Sequence, residues 1–364
     1  MIINATNIGA KISGIGRYSL SLSGYLLENW DYPFQIYINR QAASHFPELN
    51  QKIKLVSRYI SPDYRFKGHL LRLLWTHKLC LLNQKTTVFN TSPLEGALYY
   101  KRQIIMVHDL IPLFYPRFHK KQYPYFKSVL PKILKTCIRI LTVSNHTKER
   151  IIEFYRIPQE KISVIHNGIN ASVFQEDYGH GSNTGDPAYI LFVGRLSPLK
   201  NIEGLIRAFE LVAHQHNLRL KLTGDQRELD FEIGEKTRER IDFLETVSDR
   251  QLAKLYRNAL ALILPSFHEG FGLPPLEAMA CGCPVVVSRV TSLPEVCGDA
   301  AFYVDPGDIE SIAEGIRKVA TDEALRKSLI QKGLKRARRF TWEKSAREHI
   351  RIFEEVLGGQ QGRS

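Results

Sequence analysis

Long apolar runs are missing from this sequence of 364 residues. No stretch approaches the roughly 18–20 uninterrupted apolar residues that cross a bilayer, so no transmembrane helix is expected. Residues Met1 to Thr6 lack a charged leader followed by an apolar run, so no targeting segment is expected either. Cysteine is scarce: Cys80, Cys137, Cys281, Cys283 and Cys297 are too few and too scattered for a disulfide scaffold, which points to a reducing compartment. Cys281 and Cys283 have no second pair beside them, so they read as small buried residues rather than a zinc site. A complete Gly-x-Gly-x-x-Gly fingerprint is absent, because Ser19 stands where the third glycine would be in the run beginning at Gly14. Acidic residues are absent between Asp109 and Glu149.

What is present is a chain with 44% hydrophobic residues, enough for a packed core, and too long for one core of ~250–300 residues. The net charge of +13 is unevenly placed. Residues 1–174 carry 24 Lys and Arg against 9 Asp and Glu, residues 175–316 carry 13 against 22, and the remainder 13 against 6. Such alternation of sign argues for two halves with different partners. Short apolar runs alternate with amphipathic stretches. Strands are expected at 2–6, 36–38, 87–89, 104–107 and 140–143, and again at 189–193, 218–222, 261–264 and 284–287. Helices are expected at 16–29, 148–155 and 202–215. This is an α/β pattern of two doubly wound, parallel-sheet halves. The Gly-, Ser- and Asn-rich segment between them reads as a linker at 175–187, dividing domains 1–174 and 188–341. Two such halves would set a ligand cleft at the carboxyl ends of their strands.

The sharpest motif runs from Pro265 to Gly282. A strand leads into a turn with Gly270 and Gly272, and Pro274 and Pro275 sit where a helix would begin. A helix N-terminus there suits a phosphate. Glu269 and Glu277, eight residues apart, could accept hydrogen bonds from sugar hydroxyls; the alternative is an ordinary loop with two solvated glutamates. This block resembles the glutamate-x7-glutamate motif of retaining glycosyltransferases of family 4, the glycogen synthase and mannosyltransferase group, and the likeness extends along nearly the whole chain. The resemblance implies the GT-B fold, two Rossmann-like domains facing each other across a cleft, with a C-terminal helix at about 342–357 packing back on the first domain. It implies that Glu277 binds the ribose of a nucleotide, that Glu269 contacts the donor sugar, and that backbone at Phe271, Gly272 and Leu273 reaches the sugar and diphosphate.

Arg195 and Lys200 follow the first strand of the second half, where two cations suit a diphosphate. By the resemblance they neutralise the leaving nucleoside diphosphate, which is electrostatic catalysis. The chain has no Asp-x-Asp motif, in keeping with an enzyme that needs neither metal nor other cofactor. Gly16, in Gly14-Ile15-Gly16, corresponds to a glycine-rich loop that closes over the diphosphate. His108 corresponds to a histidine near the transferred sugar, while Asp109 next to it reads as structural or acceptor-side. Backbone near Val247, in the segment Phe243 to Val247, corresponds to the part that reads the base.

The implied reaction moves a hexose, glucose or mannose, from UDP-glucose or GDP-mannose to a hydroxyl of a glycan or lipid-linked acceptor, with retention and without metal. Rival readings are a sugar-nucleotide epimerase or phosphorylase on the same fold, or a basic nucleic-acid-binding protein, for which no recognition motif is found. No nucleic-acid partner is therefore expected. The expected location is the cytoplasm. The basic, aromatic-bearing stretch from Asp109 to Glu149 suits peripheral contact with the anionic inner face of the plasma membrane, or else is a solvated basic surface.

Overall fold

The computed structural model describes residues 1–46, 50–176, 187–244 and 247–361. Most of the expected linker 175–187 lies outside the described residues, as do Glu245 and Thr246. The chain divides into two compact units, residues 1–168 with 342–364, and residues 169–341. No helix among the described residues is long and apolar enough to cross a membrane.

In the first unit the strands are β1 (Ile2–Asn4), β2 (Gln35–Asn39), β3 (Ile53–Val56), β4 (Val88–Asn90), β5 (Gln103–Val107), β6 (Arg139–Thr142) and β7 (Ile162–Val164). They form one sheet in the order β3-β2-β1-β4-β5-β6-β7, and every pairing is parallel. Parallel neighbours need crossovers, which place helices on both faces. The central strands are therefore largely apolar, and Ile104 to Val107 are entirely buried. Order reverses between β1 and β4, and there the buried Asn4 side chain donates to Asn90 Oδ1 at 2.9 Å and to Thr76 Oγ1 at 3.0 Å.

The helix Gly14–Asn29 starts two residues before the expected position, because Ser13 caps it: its Oγ accepts from the Gly16 amide at 3.1 Å. Gly16 is thus buried in the first helical turn, two residues inside the helix expected to begin with it. On the inner face of this helix Tyr18, Leu22 and Leu26 are buried, with Ser19 and Ser23 beside them in place of Tyr25. The last helix, Trp342–Gln361, packs on it. Phe353 is fully buried there, with its ring 4.9 Å from Phe89 and 5.6 Å from Trp30.

The second unit holds β8 (Tyr189–Phe192), β9 (Arg219–Thr223), β10 (Ile241–Leu244), β11 (Ala261–Leu264), β12 (Val285–Ser288) and β13 (Phe302–Val304). Their order is β10-β9-β8-β11-β12-β13, again parallel throughout, with the reversal between β8 and β11. Both sheets have the order of doubly wound nucleotide-binding folds, which take ligands beyond the carboxyl ends of the strands at the reversal.

Because the last helix supplies core to the first unit, truncating its buried ring should destabilise that unit. Phe353→Ala is expected to cost about 3–5 kcal/mol, read as a lower urea midpoint for the first-unit transition, with the second-unit transition little changed.

Candidate active site

In the second unit the reversal point gathers two loops. One follows β8 and carries Gly194 to Asn201; the other follows β11 and carries Pro265 to Gly272. They are joined by backbone, since the Phe267 amide donates to the Leu199 carbonyl at 2.9 Å. They are also joined by charge. Lys200 Nζ donates to Glu269 Oε1 at 2.6 Å, and Ser266 Oγ donates to the same oxygen at 2.9 Å. The Glu269 side chain is 9% exposed and Lys200 26%, so the pair is partly withdrawn from water yet reachable. The structure therefore brings two expected site residues into direct contact.

The turn that follows is fixed by groups the sequence reading missed. Ser292 Oγ lies 2.9 Å from both the Glu269 and Phe271 carbonyls, and the Glu269 amide donates to Thr291 Oγ1 at 3.1 Å. Gly272 has φ +111, and a Cβ on it would sit 2.9 Å from Leu293 Cδ2, so only glycine fits this position. The helix Leu273–Ala280 begins immediately after it. Pro274 and Pro275 occupy its second and third positions. Of the first three residues Leu273 alone carries an N–H, so the amides expected to meet a phosphate reduce to Leu273 and the turn before it. Glu277, in the middle of this helix, is buried, and its Oε2 accepts from Tyr256 OH at 3.3 Å.

Arg195 is less constrained. Its side chain is 79% exposed and reaches Glu228 Oε1 at 3.4 Å, while Glu228 Oε2 accepts from the Leu196 amide at 3.2 Å. Gly194, just before it, donates its amide to Thr223 Oγ1 at 3.1 Å, tying this loop to the end of β9. Val247 follows the end of β10 on the same edge of the sheet, after the undescribed Glu245 and Thr246. Glu228, Tyr256, Ser266, Thr291 and Ser292 were not singled out from sequence. Ser266 alone lay inside a quoted motif; the others belong to no local pattern.

In the first unit His108 follows β5 directly and is buried. Its Nε2 lies 2.9 Å from the Thr91 carbonyl, an acceptor only, so Nε2 carries the hydrogen. Thr147 Oγ1 donates to the His108 carbonyl at 3.3 Å. Asp109 Oδ1 accepts from the Ile111 amide at 2.9 Å, a structural turn contact. Tyr18, two residues after Gly16, stacks edge-on against His108 with centroids 4.8 Å apart. Its hydroxyl meets His349 Nε2 at 2.7 Å, and His349 Nδ1 meets the Ser345 carbonyl at 2.7 Å. The carbonyl requires Nδ1–H, so neutral His349 accepts from Tyr18. Burial pushes both His108 and His349 down to about 4, so both rings are neutral at pH 7. His108 is a fixed hydrogen-bonding contact rather than a proton carrier.

The sequence profile described as Glycosyltransferase Family 4 matches residues 12–173, and that described as Glycosyl transferases group 1 matches residues 175–336. O-antigen chain mannosyltransferase B of Escherichia coli is 30% identical over 97% of this chain and 99% of its own length. O-antigen chain mannosyltransferase RfbU of Salmonella typhimurium is 32% identical over 88% of this chain and 90% of its own length. The chain belongs to glycosyltransferase family 4. Solved structures agree on the fold. Sucrose-phosphate synthase from Thermosynechococcus elongatus superposes with a TM-score of 0.78 at 20% identity, covering 98% of this chain and 99% of that one. WaaG, a glycosyltransferase involved in lipopolysaccharide biosynthesis, gives 0.73 at 14% identity, covering 97% and 99%. The architecture is that of GT-B glycosyltransferases, and the chain is a glycosyltransferase.

The buried neutral histidines have a measurable consequence. The unfolded rings take up protons near pH 6.5 and the folded ones near 4, so the unfolded state binds more protons between these values. Their contribution is complete above pH 6.5 and is lost as pH falls toward 4, at up to ~1.4 kcal/mol per pH unit for each ring. His349→Gln should be less stable at pH 7.5 and show a shallower loss in urea unfolding between pH 6.5 and 5. A curve parallel to wild type would contradict a neutral buried His349.

Proposed function

We propose that this glycosyltransferase moves mannose from GDP-mannose to a hydroxyl of a growing glycan, with retention at the anomeric carbon and without a metal. The reading of the sugar and of the glycan rests on the relatives: the two described above and the serotype-specific mannosyltransferase WbdA of Escherichia coli are mannosyltransferases by name, and the first two act on O-antigen chains. The observation that carries the site is the Lys200–Glu269 pair at the β8/β11 reversal, where a cation and a hydroxyl-binding carboxylate stand side by side.

On this reading Lys200 and Arg195 hold the diphosphate, and the Leu273 amide with the backbone of Phe271 and Gly272 completes its cradle. Glu269 takes sugar hydroxyls, with its carboxylate aimed by Ser266 and Lys200. Glu277, held by Tyr256, takes the ribose, and backbone at Val247 meets the base. In the first unit His108 offers a neutral ring to the sugar, and Gly16 lets the first helical turn approach the substrates. Retention follows a front-face course. The bond from the anomeric carbon to the diphosphate oxygen breaks, the acceptor oxygen bonds to the same face, and its proton passes to the departing phosphate oxygen. Negative charge grows on the diphosphate as that bond breaks, so its cations favour the transition state over the bound donor.

A donor screen tests the reading. With a suitable glycan acceptor, GDP-mannose should give nucleotide release and an α-mannosidic product by NMR, unaffected by EDTA, while UDP-glucose and UDP-galactose should give little. Lys200→Ala should lower kcat about 10²-fold or more at saturating donor. Glu277→Ala should mainly raise the donor KM, by about tenfold. Wild-type turnover in Lys200→Ala, or preference for a uridine donor, would overturn the corresponding part.

A further inference from the structure

The loop after β12 closes on the Glu269 turn from the neighbouring strand, since β12 pairs with β11. In that loop the Leu293 amide donates to the Val290 carbonyl at 3.3 Å, so Thr291 and Ser292 are the central pair of a tight turn. Ser292 has φ −82 and ψ −11, while Thr291 has φ +54. A left-handed first central position in a turn of this kind is ordinarily filled by glycine, asparagine or aspartate. Six residues other than glycine have left-handed φ among the described residues, and Thr291 is the only β-branched one. A branched Cβ makes this backbone costly, and it persists only where its surroundings over-determine it.

Two anchors hold the turn. Leu293, its last residue, is fully buried beside Gly272, and the Ser292 hydroxyl reaches the carbonyls of Glu269 and Phe271. Neither anchor needs a side chain at position 291, where glycine would relieve the strain. What glycine would lose is the hydroxyl. Thr291 Oγ1 accepts from the Glu269 amide at 3.1 Å, and Ser292 Oγ lies 2.9 Å from the Glu269 carbonyl, so consecutive hydroxyls grip one residue at both ends. Consecutive side chains of an extended chain point to opposite faces, so the left-handed kink is what turns both toward Glu269. Lys200 and Ser266 then meet the same carboxylate oxygen, Oε1, and the Glu269 side chain is set in one orientation.

We propose that Thr291 is the positioning residue for Glu269: its hydroxyl, placed by a strained turn, aims the carboxylate at the hydroxyls of the transferred sugar. The proposal rests on the reading of Glu269 as the sugar-binding carboxylate. Thr291 acts through Glu269 on the sugar, and not on the nucleotide, which that reading gives to other residues.

Thr291→Ser, Thr291→Ala and Thr291→Gly in the full-length protein separate the hydroxyl from the backbone. In urea unfolding of the second unit, Thr291→Gly should keep a higher midpoint than Thr291→Ala. That reverses the usual order, because glycine alone accepts the left-handed backbone without strain. Activity should follow the hydroxyl instead. With GDP-mannose and a glycan acceptor, kcat should fall about tenfold in both Thr291→Ala and Thr291→Gly and recover in Thr291→Ser. GDP affinity, measured by calorimetry, should stay at the wild-type value in all three. An alanine midpoint above that of glycine, kcat lost equally in Thr291→Ser, or GDP affinity falling in step with kcat overturns the proposal. Glu269→Ala, run alongside, separates its failure from that of the site. Lost turnover there with wild-type turnover in Thr291→Gly sinks the role of Thr291 alone. Wild-type turnover in both sinks the reading of Glu269 and the proposal with it. Should the wild type prefer a uridine donor, the GDP-mannose reading falls, and the same comparison with that donor and UDP still decides the role of Thr291.

Discussion

Every strand pairing described in this chain is parallel, and that single constraint arranges the rest. A parallel ladder cannot close by hairpins, so each strand returns through a crossover and each sheet is covered on both faces. The apolar residues are consumed in this covering: Ile104 to Val107 in β5 and Val285 to Val287 in β12 have no face left for chemistry. All strands of a sheet end on one edge, and the polar residues that do chemistry leave from that edge in loops. At the reversal points successive crossovers go to opposite faces, so neighbouring loops part and leave room. The Lys200–Glu269 pair sits at such a point in its own unit.

The same constraint explains what could be read from the sequence. All nine central strands, from β1 at Ile2 to β12 at Val285, were legible, most of them because burial on two faces gives a continuous apolar run and β9 because it alternates around Leu220 and Leu222. The four strands not anticipated are β3, β7, β10 and β13, and these are the four sheet edges. Ile53–Val56 has Lys54 and Leu55 exposed, and Ile241–Leu244 is only half covered. Edge strands carry mixed, short patterns that periodicity does not separate from loops. In the site, Glu269, Gly272 and Glu277 were legible because they share one local motif whose geometry is set by its own glycine and prolines. Ser292, Tyr256 and Glu228 were not, because they reach the motif from other elements and only the fold brings them there. At Gly16 the helix itself was legible and only its start was not: the Ser13 cap moves it two residues earlier.

Tyr18 illustrates how a residue with no motif value becomes structural. It is fully buried, and its ring and hydroxyl together engage His108 from one loop and His349 from the last helix. The carbonyls of Ser345 and Thr91 fix which nitrogen of each histidine holds hydrogen, so the neutral His349 ring accepts the Tyr18 hydroxyl at Nε2. Two histidines that a sequence reading could take for proton carriers are thereby committed to single tautomers. Residues more than three hundred positions apart are thus joined at Tyr18, which packs on His108 and bonds the last helix.

The two reversal points differ in how their charges are met. At β8/β11 the cation already has a carboxylate at 2.6 Å, itself oriented by Ser266; on the proposed reading an arriving diphosphate would compete for Lys200 and free Glu269 for sugar hydroxyls. At β1/β4 the buried guanidinium of Arg72 faces Glu95 at 3.5 Å, an ion pair without a hydrogen bond. A satisfied pair suits a ligand that comes and goes with each turnover, since the empty site stays stable between donors.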